Sequence, residues 1–322
     1  MATLPVYTQT IDDAFVETWY EIRPDAVDNI LDALVIWVAL RDRGVMESQV
    51  GGTFISRDIK YGNQGATNVE KGDTLPSGEP ELETQALWKW KYCASHVQRS
   101  TIDDQQNAGP EKRKGYVAKR LKDARDGIEQ KYESSLWNAF DSAETAKTQQ
   151  GLLDLIPTNA NKATGTWGGI ARSNTWWQPK YLQTTSPEAV NLVSDMKSMF
   201  NTIFNNQIAP DLIITTQDWF EIYEEFGLDA SQIIKNPETR VMDLGFQSLF
   251  FKGAELIWSA NTPATTMRFL TTQFMEIVWD PNLWFDMTEF KPIPLQMERI
   301  AHIMSAYNMI GTQPRRFGLL YQ

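Results

Sequence analysis

The chain has 322 residues, 42% hydrophobic and 11% aromatic, enough apolar content to bury a sizeable core and to exclude wholesale disorder. Its 41 acidic and 30 basic residues leave a formal net charge of -11, which excludes a broad electrostatic grip on nucleic acid, since that grip needs Lys and Arg to neutralise phosphates. No run of about 18 apolar residues reads as a membrane span, and the polar start with Asp12, Asp13 and Glu17 lacks the basic residues of a signal peptide.

The first fifty residues begin extended and turn helical. Ile30, Leu31, Leu34, Val35 and Val38 recur at helical spacing, with Asp25 or Asp28 as cap and Gly44 as stop, which predicts a helix packed at the edge of the core. From Gly51 to Val97 the period changes to two. Ile55, Arg57, Ile59 and Tyr61 share one face of an outgoing strand, and Ala86, Trp88, Trp90 and Tyr92 share one face of the return strand, opposite Leu87, Lys89, Lys91 and Cys93. Gly62 to Pro80, between them, is polar and rich in Gly and Pro. The predicted element is an extended hairpin arm with a mobile tip. A lone two-stranded ribbon is marginal in water, so its aromatic face needs a cover, and a neighbouring subunit is the expected one. On that reading Trp88, Trp90 and Tyr92 carry intersubunit burial, Arg57, Lys60, Lys89 and Lys91 pair with acidic neighbours, and alanine at Trp88 and Trp90 leaves a folded monomer.

Cys93 reads as a small packed residue, and with His96 and His302 it supplies too few N and S ligands for zinc; no metal or cofactor is expected. A long amphipathic helix is predicted next, from Pro110 to Ala143, with Asn107 as a nearby cap and Val117, Leu121, Ala124, Ile128, Tyr132, Leu136 and Phe140 as its apolar stripe. At 1.5 Å per residue it is about 50 Å long.

Gly151 to Tyr181, GLLDLIPTNANKATGTWGGIARSNTWWQPKY, joins a cluster of turn glycines to a tryptophan doublet. Gly165, Gly168 and Gly169 do not sit between a strand and a helix as a dinucleotide fingerprint requires, so they read as turn residues. Beyond it the sequence predicts a helix opened by Ser186 and Pro187, a buried strand from Asp211 to Thr215, and a helix from Trp219 to Phe226 capped by Asp218. Short strands follow around Leu249 to Lys252, Glu255 to Trp258, Met267 to Leu270 and Met275 to Trp279. Leu295 to Tyr321 alternates, and the break from Gly311 to Pro314 predicts a hairpin. The class is α+β. No GxxxxGK[ST], HExxH or GxSxG motif occurs. Trp167, Trp176 and Trp177 also suit stacking against sugars, which keeps a Trp-rich glycan-binding or glycan-hydrolysing protein as an alternative of a different class.

The segments GLLDLIPT, GTWGGIARSNTWWQP, PDLIITTQDWFEIYE, LGFQSLFFKGAELIW, MRFLTTQFMEIVW and WFDMTEF, in that order, resemble the major capsid proteins of tailed bacteriophages. The resemblance implies the Hong Kong 97 fold: an N-terminal arm (1–50), an extended loop (51–95), a peripheral domain (96–150 and 282–322) with a spine helix over 110–143, and an axial domain (151–281). It implies hexamers and pentamers of one chain closing an icosahedral shell around double-stranded DNA without sequence-specific binding, in a virion assembled in the host bacterial cytoplasm. A separate scaffolding protein, a portal and a decoration protein are the implied partners, with no membrane and no enzymatic activity. Extended-loop contacts fall to Arg57, Lys60, Tyr61, Lys71, Trp88, Lys89, Trp90, Lys91 and Tyr92. Some relatives weld subunits by a lysine–asparagine bond beside a glutamate, and Lys60, Lys71, Asn308 and Glu298 offer those residue types. An encapsulin-like cellular compartment is the alternative within the fold.

Overall fold

A computed structural model describes residues 35–73, 77–78, 81–100, 120–122, 124, 127–128, 130–185, 189–204, 208–230 and 249–322. The extended start, the caps at Asp25, Asp28 and Asn107, the first turn at Pro110 and the helix opening at Ser186 and Pro187 lie outside them.

Helix α1 (Val35–Asp42) buries Ile36, Trp37, Ala39 and Leu40 and stops where Gly44 takes a left-handed φ of 69°. Strand β1 (Met46–Ser48) leads into the hairpin of β2 (Phe54–Lys60) and β3 (Glu83–Lys89), and β4 (Lys91–Ser100) follows after a break at Trp90. The described positions between 120 and 136 form helix α2, which buries Leu121, Ala124, Ile128, Tyr132 and Leu136 as the stripe predicts. This helix stops at 136, short of the predicted Ala143. Residues 138–150 instead form a loop around the Asp141 carboxylate, which accepts the backbone N–H groups of Ala143 at 3.2 Å and Ala146 at 2.6 Å.

The short helix α3 (Leu152–Leu155), strands β5 (Thr166–Trp167) and β6 (Ile170–Ala171), and strand β7 (Lys180–Gln183) lead to α4 (Ala189–Ile203), β8 (Leu212–Thr215) and α5 (Gln217–Ala230). Asp218 lies inside the first turn of α5 and is not its cap. The remaining strands are β9 (Leu249–Phe251), β10 (Ala254–Trp258), β11 (Thr266–Leu270), β12 (Met275–Trp279), β13 (Asp286–Met287), β14 (Lys291–Pro292), β15 (Glu298–Gly311) and β16 (Gly318–Tyr321).

Among the described residues the strands form two six-stranded sheets and two ribbons. The first sheet is organised by β15. It pairs with β4 from Glu298↔Ser100 to Tyr307↔Lys91, and its other edge takes β14, β13 and β12 in succession, with β1 parallel to β12. The second sheet runs β7-β16-β11-β8-β10-β9. Helices α4 and α5 cover one face through Met196, Met199, Phe200, Trp219 and Phe220. Its other face joins the core shared with α1, α2 and the first sheet. Strand β8 is therefore buried at every position, which explains its unbroken Leu-Ile-Ile-Thr run.

The break from Gly311 to Pro314 is not a hairpin. β15 ends in the first sheet and β16 inserts between β7 and β11 in the second, so the two C-terminal strands expected together are divided between sheets. Gly311 lies where a Cβ would sit 2.4 Å from Leu155 Cδ1. The Gly311→Ala variant is expected to lower stability by about 2 kcal/mol through overpacking, read as a lower urea midpoint at unchanged m-value.

Candidate subunit-interaction surface

The hairpin β2–β3 is in register from Phe54↔Lys89 to Lys60↔Glu83, and its inner face carries Ile55, Ile59, Ala86 and Trp88, all buried. The cover comes from the chain itself. Trp88 is 0% exposed and packs edge-to-face on Trp167, ring centroids 6.0 Å apart. Gly168, at φ 60°, sits so close that a Cβ would fall 2.7 Å from the Trp88 ring, and its carbonyl accepts the Leu87 N–H at 2.9 Å. The Trp167 indole donates to the Gly311 carbonyl and the Trp177 indole to the Trp167 carbonyl, each at 2.9 Å. The glycine and tryptophan segment singled out in the sequence is therefore the seat of the hairpin. Trp167 and Trp177 are spent in it and offer no platform for a sugar.

Charge holds the same element down. Arg57 of β2 reaches Glu276 of β12 through Nε at 2.9 Å and a terminal nitrogen at 2.6 Å, and Glu47 of β1 at 3.0 Å. Burial pushes the Glu276 carboxyl above its ordinary range and the adjacent Glu47 adds to this, while the Arg57 hydrogen bonds pull the other way. Farther out, the Tyr61 ring stacks on Trp176 at 4.9 Å and its hydroxyl donates to the Glu81 carbonyl at 2.8 Å.

Three expectations are corrected here. Trp88 and Trp90 are buried within the chain, so no neighbouring copy is needed to cover them, and alanine at these positions removes core. Arg57 finds its acidic partners in its own chain. The return strand does not keep one alternation: after the break at Trp90, Lys91 is also buried, Tyr92 turns outward at 65% exposure and Cys93 turns inward. β3 pairs with β2 while β4 pairs with β15, and the change of partner shifts the side-chain phase by one residue. Lys91 donates through Nζ to the Ala146 carbonyl, and burial lowers its pKa, opposed by nearby Asp141.

Lys60, Lys71 and Lys89 are exposed. The cross-link residues are not brought together. Asn308 is 0% exposed and its amide donates to the Lys89 carbonyl and Gln150 Oε1, each at 2.9 Å, so it is closed to a lysine from another subunit. Glu298, half-buried at the start of β15, accepts a hydrogen bond from Gln98. Periodicity did not expose two further surfaces. Phe54 and Leu87 stand out from the outer face of the hairpin, and Leu295 and Met297 stand out, 106% and 72% exposed, on the β14–β15 turn. In that turn Gln296 N–H donates to the Ile293 carbonyl at 3.2 Å, and Leu295 holds the left-handed φ of 63° that glycine ordinarily takes after proline. The signal was the run Ile293-Pro294-Leu295-Gln296-Met297, apolar residues in a turn.

Beneath the hairpin, the Asp154 carboxylate accepts the N–H groups of Asp141 at 2.8 Å and Gly151 at 3.1 Å. Burial nevertheless pushes its pKa up to about 6. Among the described residues there is no cluster of three or more His, Cys, Asp or Glu able to hold a metal, and no helix is long and apolar enough to cross a membrane.

The two sheets, the hairpin seated beside them and the helix over 120–136 make up a capsid-shell fold, that of the tailed-bacteriophage major capsid proteins known as the Hong Kong 97 fold. The capsid asymmetric unit of cyanophage A-1(L) superposes with a TM-score of 0.64 at 15% identity, covering 86% of this chain and 89% of that one. The capsid of Myoviridae phage XM1 gives 0.57 at 9%, covering 87% and 90%. The holo-SrpI encapsulin complex of Synechococcus elongatus gives 0.55 at 10%, covering 88% and 86%. No protein-family model matches the sequence, and neither does any curated protein.

Three outcomes are expected. Trp88→Ala should cost about 3–5 kcal/mol in denaturant unfolding, the usual range for emptying a buried tryptophan site. Arg57→Ala should cost only about 1 kcal/mol, because the pair is part-exposed, yet amide exchange across 54–60 and 83–89 should speed up selectively. Asp154 binds its proton more tightly folded (about 6) than unfolded (about 3.9), so its contribution is present at low pH and lost as pH rises through 6. The stability difference between the wild-type chain and Asp154→Asn should therefore change between pH 4 and 6 and stay flat above 7.

Proposed function

We propose that the chain is the major capsid protein of a tailed bacteriophage. The observation that carries this reading is the match of fold over most of both chains with the cyanophage capsid subunit. In this reading copies of the chain form hexamers and pentamers that close a shell around double-stranded DNA, with no catalytic step. The net charge of -11 suits a wall that encloses DNA without neutralising its phosphates. The first sheet with α2 serves as the peripheral domain and the second sheet as the axial domain, with β12 exchanged for β16 relative to the boundaries expected from sequence. Scaffolding, portal and decoration proteins are the proposed partners, assembly takes place in the host bacterial cytoplasm, and the mature location is the virion.

The proposed contacts between copies use apolar side chains exposed among the described residues, Phe54 and Leu87 on the outer face of the hairpin and Leu295 on the β14–β15 turn, together with the exposed Lys60, Lys89 and Tyr92. A fully exposed leucine held at positive φ costs about 1 kcal/mol with no burial to offset it among the described residues, which favours an intermolecular role. Expressed with its neighbouring head genes, the chain should sediment as megadalton particles visible by negative-stain electron microscopy. The Leu295→Asp variant should keep its circular dichroism and melting transition yet yield no particles. Undiminished particle yield would remove this turn from the contacts, and a monodisperse monomer from the wild-type chain under all these conditions would overturn the reading itself. Nuclease-protected DNA in purified particles favours the phage shell, and a packaged enzyme in its place favours an encapsulin-like compartment.

A further inference from the structure

Arg268 on β11 is 1% exposed, at the centre of the second sheet. Its one hydrogen bond among the described residues runs from a terminal nitrogen to Thr266 Oγ1 at 3.0 Å, and Nε has no partner. Arg268 pairs across the sheet with Leu319, which pairs in turn with Tyr181 on β7, so the three side chains rise from the same face. The two long ones flank the leucine. The guanidinium lies over the Trp137 ring, 5.2 Å from its centroid. Both the Tyr181 hydroxyl and the Trp137 indole nitrogen are buried without a hydrogen-bond partner.

The chemistry of this group is one-sided. Arg Nε–H and indole N–H can only donate, and the phenol, which can also accept, is bonded to neither among the described residues, so the two obligate donors lack an acceptor. The group also carries a buried positive charge, and such charges are paired in folded proteins because an isolated ion is expensive to desolvate. Arg172, also fully buried, faces the same Tyr181 hydroxyl but has carboxylates to answer it in Asp154 and Glu144. The Arg268 guanidinium has only Tyr181, whose phenol burial pushes well above its ordinary range, so it stays neutral and is no counter-ion. Burial accordingly pulls Arg268 down to about 10.

We propose that Arg268, Tyr181 and Trp137 form a buried binding site for a small inorganic anion of the chloride class, bound between the second sheet and the end of helix α2. The donor set selects an anion over a cation, and the burial of all three groups selects a small ion over a carboxylic acid or phosphate ester. The site ties β7 and β11 to the residue that follows α2, so occupancy reports on how the second sheet is held against that helix.

The test compares melting of the full chain, in whatever assembly state it is purified, across a chloride titration against gluconate at constant ionic strength. Chloride should raise the melting temperature saturably, since a ligand that binds only the folded state stabilises by mass action. Bromide should substitute for it and give a density or anomalous peak beside Arg268. Arg268→Leu should abolish the chloride-dependent shift. If that variant does not fold, Tyr181→Phe, which removes one donor and no charge, should move the half-saturating concentration upward several-fold. A melting temperature indifferent to the identity of the anion, or an ordered water only at the site, would overturn the proposal.

Discussion

The fold depends on a cluster of aromatic rings where α1, α2, β15 and the segment after β12 meet. Trp37, Tyr132, Trp284, Phe285 and Tyr307 contact one another at centroid distances between 4.7 and 6.3 Å. Two of them bring hydroxyls into a fully buried space, which is tolerable only because each is answered: Tyr132 donates to Ser305 at 2.7 Å and Tyr307 shares a 2.7 Å bond with Ser135. These bonds cross between helix and strand in opposite directions, so α2 has one register against β15. The rest of the first sheet is built outward from that strand, and the hairpin is rooted in it through β4.

The hairpin is held by different kinds of contact along its length. At its root it is wedged by shape, with Trp88 against the bare backbone of Gly168. Midway it is held by the charge of Arg57 between two glutamates, and at its outer end by one ring stacked on another. Shape contacts are lost all at once, whereas ion pairs loosen gradually with salt and pH.

Much of this was legible in the sequence, and the failures have identifiable causes. Period-two and period-3.6 patterns located β2, β3 and the described core stripe of α2, each with one dry face, and apolar runs located the short strands from 249 to 279; the residues of the α1 stripe, Ile30, Leu31, Leu34, Val35 and Val38, have no described side chains. Partner identity was not legible. The patterns at Trp88 and Trp90 show that a face is buried, and nothing in them says whether the cover is the same chain or another. Nor does alternation show that consecutive strands belong to different sheets, which is why β16 read as the second half of a hairpin. The slip at Trp90 followed from the same blindness, because β3 and β4 look like one strand until their partners are known. Arg57 and Asn308 were singled out for contacts with another copy, and the partners they find in their own chain, Glu276 and Gln150, lie 219 and 158 positions away and have no local signature.

The placement of β16 bears on how the molecule comes into being. Strands β7 and β11 do not touch each other in the second sheet; residues 318–321 fill the slot between them and contribute both ladders. A growing polypeptide that has produced everything up to Gly311 thus holds a split sheet with two unsatisfied edges. Completion awaits the pairing of residues 318–321 with β7, more than a hundred positions earlier, a slow class of event. Removing residues 318–321 would leave the facing edges of β7 and β11 unpaired at once.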